Sequence, residues 1–201
     1  MPVMGEALTV HDRESPPLDR EEQQRLLRAV RATIEAAVRG VSPKEIPDAE
    51  WTDRFRAPHG VFVTLKKQGE LRGCIGQMDF ERPLWTNALE AASASALEDP
   101  RFPPVEPHEL PEIVIEVSIL NPPEELPEPE LFDPLRHGII VQKGLRHALL
   151  LPKVAQEQNW DAEKTLETVC WKAGLPTDAW RDPAARLQVF TAFDFGEKGT
   201  E

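Results

Sequence analysis

Cysteine is scarce in this sequence. Cys74 and Cys170 are the only two, they lie far apart, and they form no C-x-x-C pair. That argues against a disulfide framework and a thiolate zinc site, and it fits thiols kept reduced in the cytosol. Positive charge is short as well: 23 Lys and Arg face 35 Asp and Glu, a formal net charge of −12. Such a field repels phosphate backbones, and the small basic groups (Lys66 and Lys67 with Arg72, Lys143 with Arg146) are too sparse for a nucleic-acid-binding stripe. RNA or DNA binding is therefore the least favoured function class. No uncharged run approaches the length of a membrane span, and no basic start leads through an apolar stretch to a small-residue cleavage site. A cytoplasmic protein without membrane contact is expected. His11, His59, His108 and His147 show no ligand-like spacing, no carboxylate cluster resembles a metal site, and "RGCIG" lacks the Lys-Ser/Thr of a phosphate loop. No metal or other cofactor is expected.

What the chain does have is length and apolar content: 201 residues, 40% of them hydrophobic, suit one domain with room for two lobes. Residues 1–18 lack periodicity and are expected to be a loose arm; the domain is expected to run over 19–196, with a tail at 197–201. Asp19 and Glu22 have capping-box spacing, and Leu26, Leu27, Val30, Ile34 and Val38 then recur at helical intervals as far as Gly40. The polar face of that helix, with Arg25, Arg28, Arg31 and Glu35, is expected to be solvated. After a Pro-punctuated link, "SPKEIPDAEW", the segment "GVFVTLKKQGELRGCIGQM" has the alternation and turn of a hairpin. A helix rich in Ala and Ser follows Pro83, small enough on several faces to lie close to a sheet.

"EIVIEVSIL" is the clearest strand, with Ile113, Ile115, Val117 and Ile119 on one face and Glu116 and Ser118 on the other. "NPPEELPEPELFDP" is expected to be an exposed loop or a connection between lobes. A second hairpin turns at Lys143-Gly144, Pro152 opens a short helix, and Asp161 caps another that presents Leu166, Val169, Cys170 and Ala173 before Gly174. "ARLQVFTAFDF" is expected to be one final strand. The mixture predicts an α+β fold with a largely antiparallel sheet flanked by helices.

Six blocks stand in order along the chain: "LRGCIGQ", "DPRFPPV", "LPEIVIEVSIL", "RHGIIV", "LLLPKVAQEQNWD" and "CWKAGLPTDAW". Together they resemble the family named after the AMME contiguous-gene-deletion syndrome, whose bacterial and archaeal members are called AmmeMemoRadiSam system protein A. The resemblance covers about residues 20–195. It implies a larger and a smaller lobe with a cleft between them. It also implies the company of two partners, a Memo-like protein and a radical SAM enzyme. It brings no reaction with it.

Chemistry concentrates on "LRGCIG". If the strand stays regular, Arg72, Cys74 and Gly76 point away from Leu71 and Ile75, although glycines within a strand often mark a bulge or a close approach. A thiol reacts as thiolate, and a neighbouring Arg72 would favour that form. Backbone N–H groups at Gly73 and Gly76 would suit an anion, and His137 of "RHG" is a candidate base, giving a Cys74/His137 pair beside a ligand site of Arg72, Gly73, Gly76, Glu116 and Arg101 for a small acidic molecule. Each residue has a plainer alternative. Cys74 is a small hydrophobe packed beneath the Ala/Ser helix; Arg72 forms a salt bridge with Glu116; Arg101 helps Asp99 lock a turn; His137 donates to a backbone carbonyl. An enzyme component and a non-catalytic adapter that docks partners through the same surface both remain open.

Overall fold

The computed structural model describes residues 17–42 and 51–198. Most of the expected Pro-punctuated link and arm therefore lies outside the described residues. The described residues form two compact units, the larger holding Pro17–Pro122 together with residues 192–198, the smaller holding Pro123–Thr191. The chain leaves the larger unit inside the acidic, Pro-rich segment that the sequence marks as a lobe connection.

In the larger unit, α1 (Arg20–Val38) begins with the expected capping box: Asp19 accepts from Glu22 N, and the Glu22 side chain accepts from Asp19 N. Caps of this kind contribute about 1 kcal/mol. The boundary of the expected arm shifts, because Leu18 is fully buried. After the short α2 (Asp53–Arg56), β1 (Gly60–Lys67) and β2 (Glu70–Gln77) form the hairpin. Its turn places Gln68 and Gly69 at φ 53° and 83°, the left-handed pair that a two-residue hairpin loop requires. Next come α3 (Leu84–Leu97), β3 (Ile113–Leu120) and, at the end of the chain, β8 (Ala192–Gly196). The sheet order is β2-β1-β3-β8, with every pairing antiparallel.

Val61, Val63, Leu65, Ile115, Val117 and Ile119 share one buried core with Leu26, Val30 and Ile34 of α1 and Ala88, Ala91 and Ala92 of α3. The small residues of α3 do what their size allows. A Cβ on Gly73 would overlap the carbonyl oxygen of Ser95, so helix and strand touch backbone to backbone there. Arg31, expected on a solvated face, is instead a brace: its Nε donates to Glu197 Oε1 at 2.7 Å and its Nη2 to the Ile113 carbonyl at 2.7 Å. Glu197 also accepts from Ile115 N, which ties the start of the expected tail to the sheet.

The smaller unit has its own four-stranded sheet, order β4-β7-β5-β6, built from β4 (Glu124–Glu125), β5 (Gly138–Lys143), β6 (Arg146–Leu150) and β7 (Arg186–Phe190). Helices α4 (Pro152–Gln158) and α5 (Ala162–Lys172) precede β7, and Asp161 caps α5 by accepting from Lys164 N. Leu166, Val169 and Cys170 enter the core with Ile139, Val141, Leu187 and Val189. The expected single strand "ARLQVFTAFDF" is two strands in two different sheets, parted at Thr191. The α+β class holds, with one antiparallel sheet per unit in place of one sheet overall. Among the described residues no helix is long and apolar enough to cross a membrane.

Candidate functional site

Strand β2 is the outermost strand of the larger unit's sheet, and its register against β1 holds the central correction to the sequence reading. Leu65 pairs with Gly73 but Lys66 pairs with Leu71, so Arg72 is the extra residue of a β-bulge. A bulge bends the strand and re-aims one side chain. Regular alternation would have put Arg72 beside Cys74. The bulge turns it instead onto the segment that follows α3.

Arg72 donates from Nε to Glu109 Oε1 at 3.1 Å and from Nη2 to Glu109 Oε2 at 2.9 Å, and its Nη1 donates to the Pro103 carbonyl at 2.9 Å. The pair is nearly enclosed, the side chains 13% and 10% exposed. Glu109 also accepts from Lys67 Nζ at 3.1 Å and from Glu106 N at 3.0 Å. The Arg72 guanidinium, aided by the Glu106 amide and Lys67, holds this carboxyl down at about 2. The salt bridge expected between Arg72 and Glu116 is not the one formed. Glu116 pairs with Lys66 at 2.5 Å.

Cys74 is half-buried and does not lie beneath α3; Gly73 occupies that place. Its thiol accepts from Thr64 Oγ1 at 3.3 Å, across the strand pair that places the two residues opposite each other. Glu116 faces Thr64 from the other side, which puts Cys74, Thr64 and Glu116 in one cross-strand row. Gly76 sits under the ring of Phe62, where a Cβ would overlap it.

The backbone of Cys74 is gripped by the turn after α3. Its N–H donates to Asp99 Oδ2 at 2.8 Å, and its carbonyl accepts from Arg101 Nη2 at 3.3 Å. Arg101 in turn donates to Asp99 from Nε at 2.9 Å and from Nη2 at 2.7 Å. Asp99 is 3% exposed and Arg101 54%. The Arg101 hydrogen bonds, with the Cys74 amide, hold the Asp99 carboxyl at about 2. The Arg101 pKa is raised chiefly by its hydrogen bonds to Asp99. The cation beside Cys74 is thus Arg101, one turn of chain beyond α3, and the turn-locking and site roles weighed for it coexist in one residue.

His137 lies in the smaller unit, buried just before β5, and its backbone N–H donates to the Asp133 carbonyl at 2.8 Å. Cys74 and His137 therefore belong to different units. Cys170, buried in α5, has its thiol pushed up chiefly by burial. Among the described residues no group of three or more His, Cys, Asp or Glu could hold a metal ion. Sequence reasoning passed over Thr64, Asp99 as a site residue, and Glu109. Of these only Asp99 carried a signal, as the first residue of "DPRF".

The model of one family, described as AMMECR1, matches residues 27–195. A protein of Methanothermobacter thermautotrophicus is 46% identical over 189 residues, covering 91% of this chain and 98% of its own. Protein MK0488 of Methanopyrus kandleri is 43% identical and covers 98% of this chain and 94% of its own. Among solved structures, the crystal structure of the uncharacterized protein PH0010 from Pyrococcus horikoshii is similar at a TM-score of 0.86 and 38% identity, covering 92% of this chain and 95% of that one.

Proposed function

Starting from a chain that belongs to the AMMECR1 family, we propose that it is an accessory protein working beside a Memo-like protein and a radical SAM enzyme, through the surface formed by Cys74, Thr64 and Arg101. Its ligand in this reading is a small acidic molecule whose carboxylate meets Arg101 while a neighbouring atom meets the Cys74 thiol. One observation carries it: a half-exposed arginine, fixed along one edge by the buried Asp99, donates to the backbone carbonyl of a half-buried cysteine. A guanidinium held this way is pre-organised for an anion, because little side-chain freedom remains to be lost on binding. Arg72 and Glu109 serve as positioning residues that hold the segment leading from Asp99 and Arg101 against β2.

Two alkylating reagents test this directly. Iodoacetate carries a carboxylate and iodoacetamide does not. In Cys170→Ser protein, Arg101→Gln is expected to slow iodoacetate labelling of Cys74 about tenfold more than iodoacetamide labelling. Equal slowing would sink the anion-binding role. The competing reading, a non-catalytic adapter, draws on the position of β2 at the sheet edge and predicts that Cys74→Ser binds both partners as tightly as the native chain.

A further inference from the structure

Helix α1 carries a surface that the Cys74 site does not use. Arg28 and Arg39 are both exposed, and among the described residues neither side chain forms a hydrogen bond or ion pair. Arg28, Arg31, Glu35 and Arg39 follow one another at three- and four-residue steps, so they share one face of the helix. Along that face lie two hollows. One, of about 630 Å³, is lined by Leu27, Arg28, Arg31, Glu35, Glu197 and Lys198 among others. The other, of about 410 Å³, is lined by Arg31, Arg39, Leu110, Pro111, Val114 and Lys198 among others. Arg31, Glu35, Glu197 and Lys198 line both, so the hollows are the two ends of one groove crossed by the Arg31–Glu197 bridge.

The groove has the dimensions and chemistry of a peptide seat. From Arg28 to Arg39 is roughly 16 Å of helix at 1.5 Å per residue, the span of about five extended residues. Leu27 supplies apolar floor at one end, and Leu110, Pro111 and Val114 supply it at the other. Arg31 neutralises Glu197, which leaves Arg28, Arg39 and Lys198 against Glu35 alone. That is a local excess of positive charge on a chain whose net charge is −12. One flank of the groove is the end of β8, the last strand of its sheet, where an extended segment can run alongside.

We infer that this groove is an interaction surface for an extended acidic segment of a partner protein, with carboxylates at its ends meeting Arg28 and Arg39 and apolar residues between them filling the two hollows. A phosphate backbone carries a charge at every residue, meets Glu35 midway and has no apolar side chain for the floors at Leu27, Leu110 and Val114. A free small anion would use the arginines and leave the apolar floors bare.

The probe is a fluorescein-labelled, N-acetylated peptide, Glu-Val-Glu-Phe-Glu-Val-Glu, with the same peptide carrying Lys at each Glu position as control. Fluorescence anisotropy with the full chain is expected to show saturable binding of the acidic peptide and none of the basic one. Binding should weaken on raising the salt to about 0.5 M, as exposed charges are screened. The double variant Arg28→Gln/Arg39→Gln is expected to bind at least about tenfold more weakly, with a thermal midpoint close to native because both side chains lie in solvent. Absence of binding, or equal binding by the double variant, overturns the inference. Complete displacement of the peptide by millimolar succinate or phosphate overturns it also, since the groove is then a small-anion site. None of these outcomes bears on the Cys74 surface.

Discussion

On one side of β2, Gly73 lies so close to α3 that not even a methyl group fits against the Ser95 carbonyl. On the other side the very next residue, Cys74, accepts from Thr64 at its thiol and from Arg101 at its carbonyl and is only half-buried. The inward side is fixed by backbone contact, which cannot yield. The outward side is fixed by hydrogen bonds to groups from distant parts of the chain, which leave a thiol and a guanidinium within reach of solvent. Adjacent residues of one motif thus answer to different constraints, and substitutions on the two sides should separate them.

Gly73→Ala should have the largest effect. The clash is with backbone, so relief requires α3 to move away from the sheet. A loss of about 3 kcal/mol is expected, at the upper end for overpacking, or roughly 6–12 °C in thermal midpoint for a chain of this size. A midpoint within 2 °C of native, on the same scale, would mean that the helix slides at no cost.

Arg72→Ala should come next, at about 2 kcal/mol, because the nearly enclosed Glu109 loses its two-bond partner and keeps only Lys67 and the Glu106 amide. This loss depends on pH in a definite direction. Glu109 and Asp99 are held at about 2 in the folded chain, below their ordinary values of 4.5 and 3.8. The stability they contribute is complete above those ordinary values and is lost as pH falls toward 2. Native protein should therefore weaken steeply between about pH 4.5 and 2, and the gap between native and Arg72→Ala should close over the same range. Urea melts at pH 7, 4 and 2.5 measure it, and a gap that widens on acidification would show that Glu109 draws nothing from Arg72.

The sequence allowed much of this to be read, and the exceptions share a cause. The capping box at Asp19 and Glu22, the hairpin turn and the helix caps are written within a few residues of where they act. The bulge at Arg72 is not: one inserted residue leaves the composition of the strand unchanged, and only the partner register reveals it. Asp99 and Arg101 look like turn residues because they are, but their bonds to Cys74 span 25 and 27 positions. Glu109, a buried acid in a proline-rich stretch, meets an arginine 37 positions away. The apolar alternation from Leu187 to Phe195 continues through Thr191, so periodicity cannot mark where the chain passes from one sheet to the other. Local signals describe elements. The site is assembled from long-range contacts.

The two cysteines give the finest version of the comparison. Cys170 is fully buried among Leu166, Val169 and Val141, and Cys170→Ser should cost about 1 kcal/mol by placing a hydroxyl there. Its thiol should resist alkylation until the protein unfolds, since burial both blocks reagent and raises its pKa. Cys74→Ser should cost less, below about 0.5 kcal/mol, as a half-exposed position near polar groups requires little of sulfur. In native protein, mass spectrometry after a short iodoacetamide pulse should find one label, on Cys74. A pulse that labels neither cysteine would place Cys74 with Gly73 as packing, and the chemistry of this face would then rest on Arg101 alone.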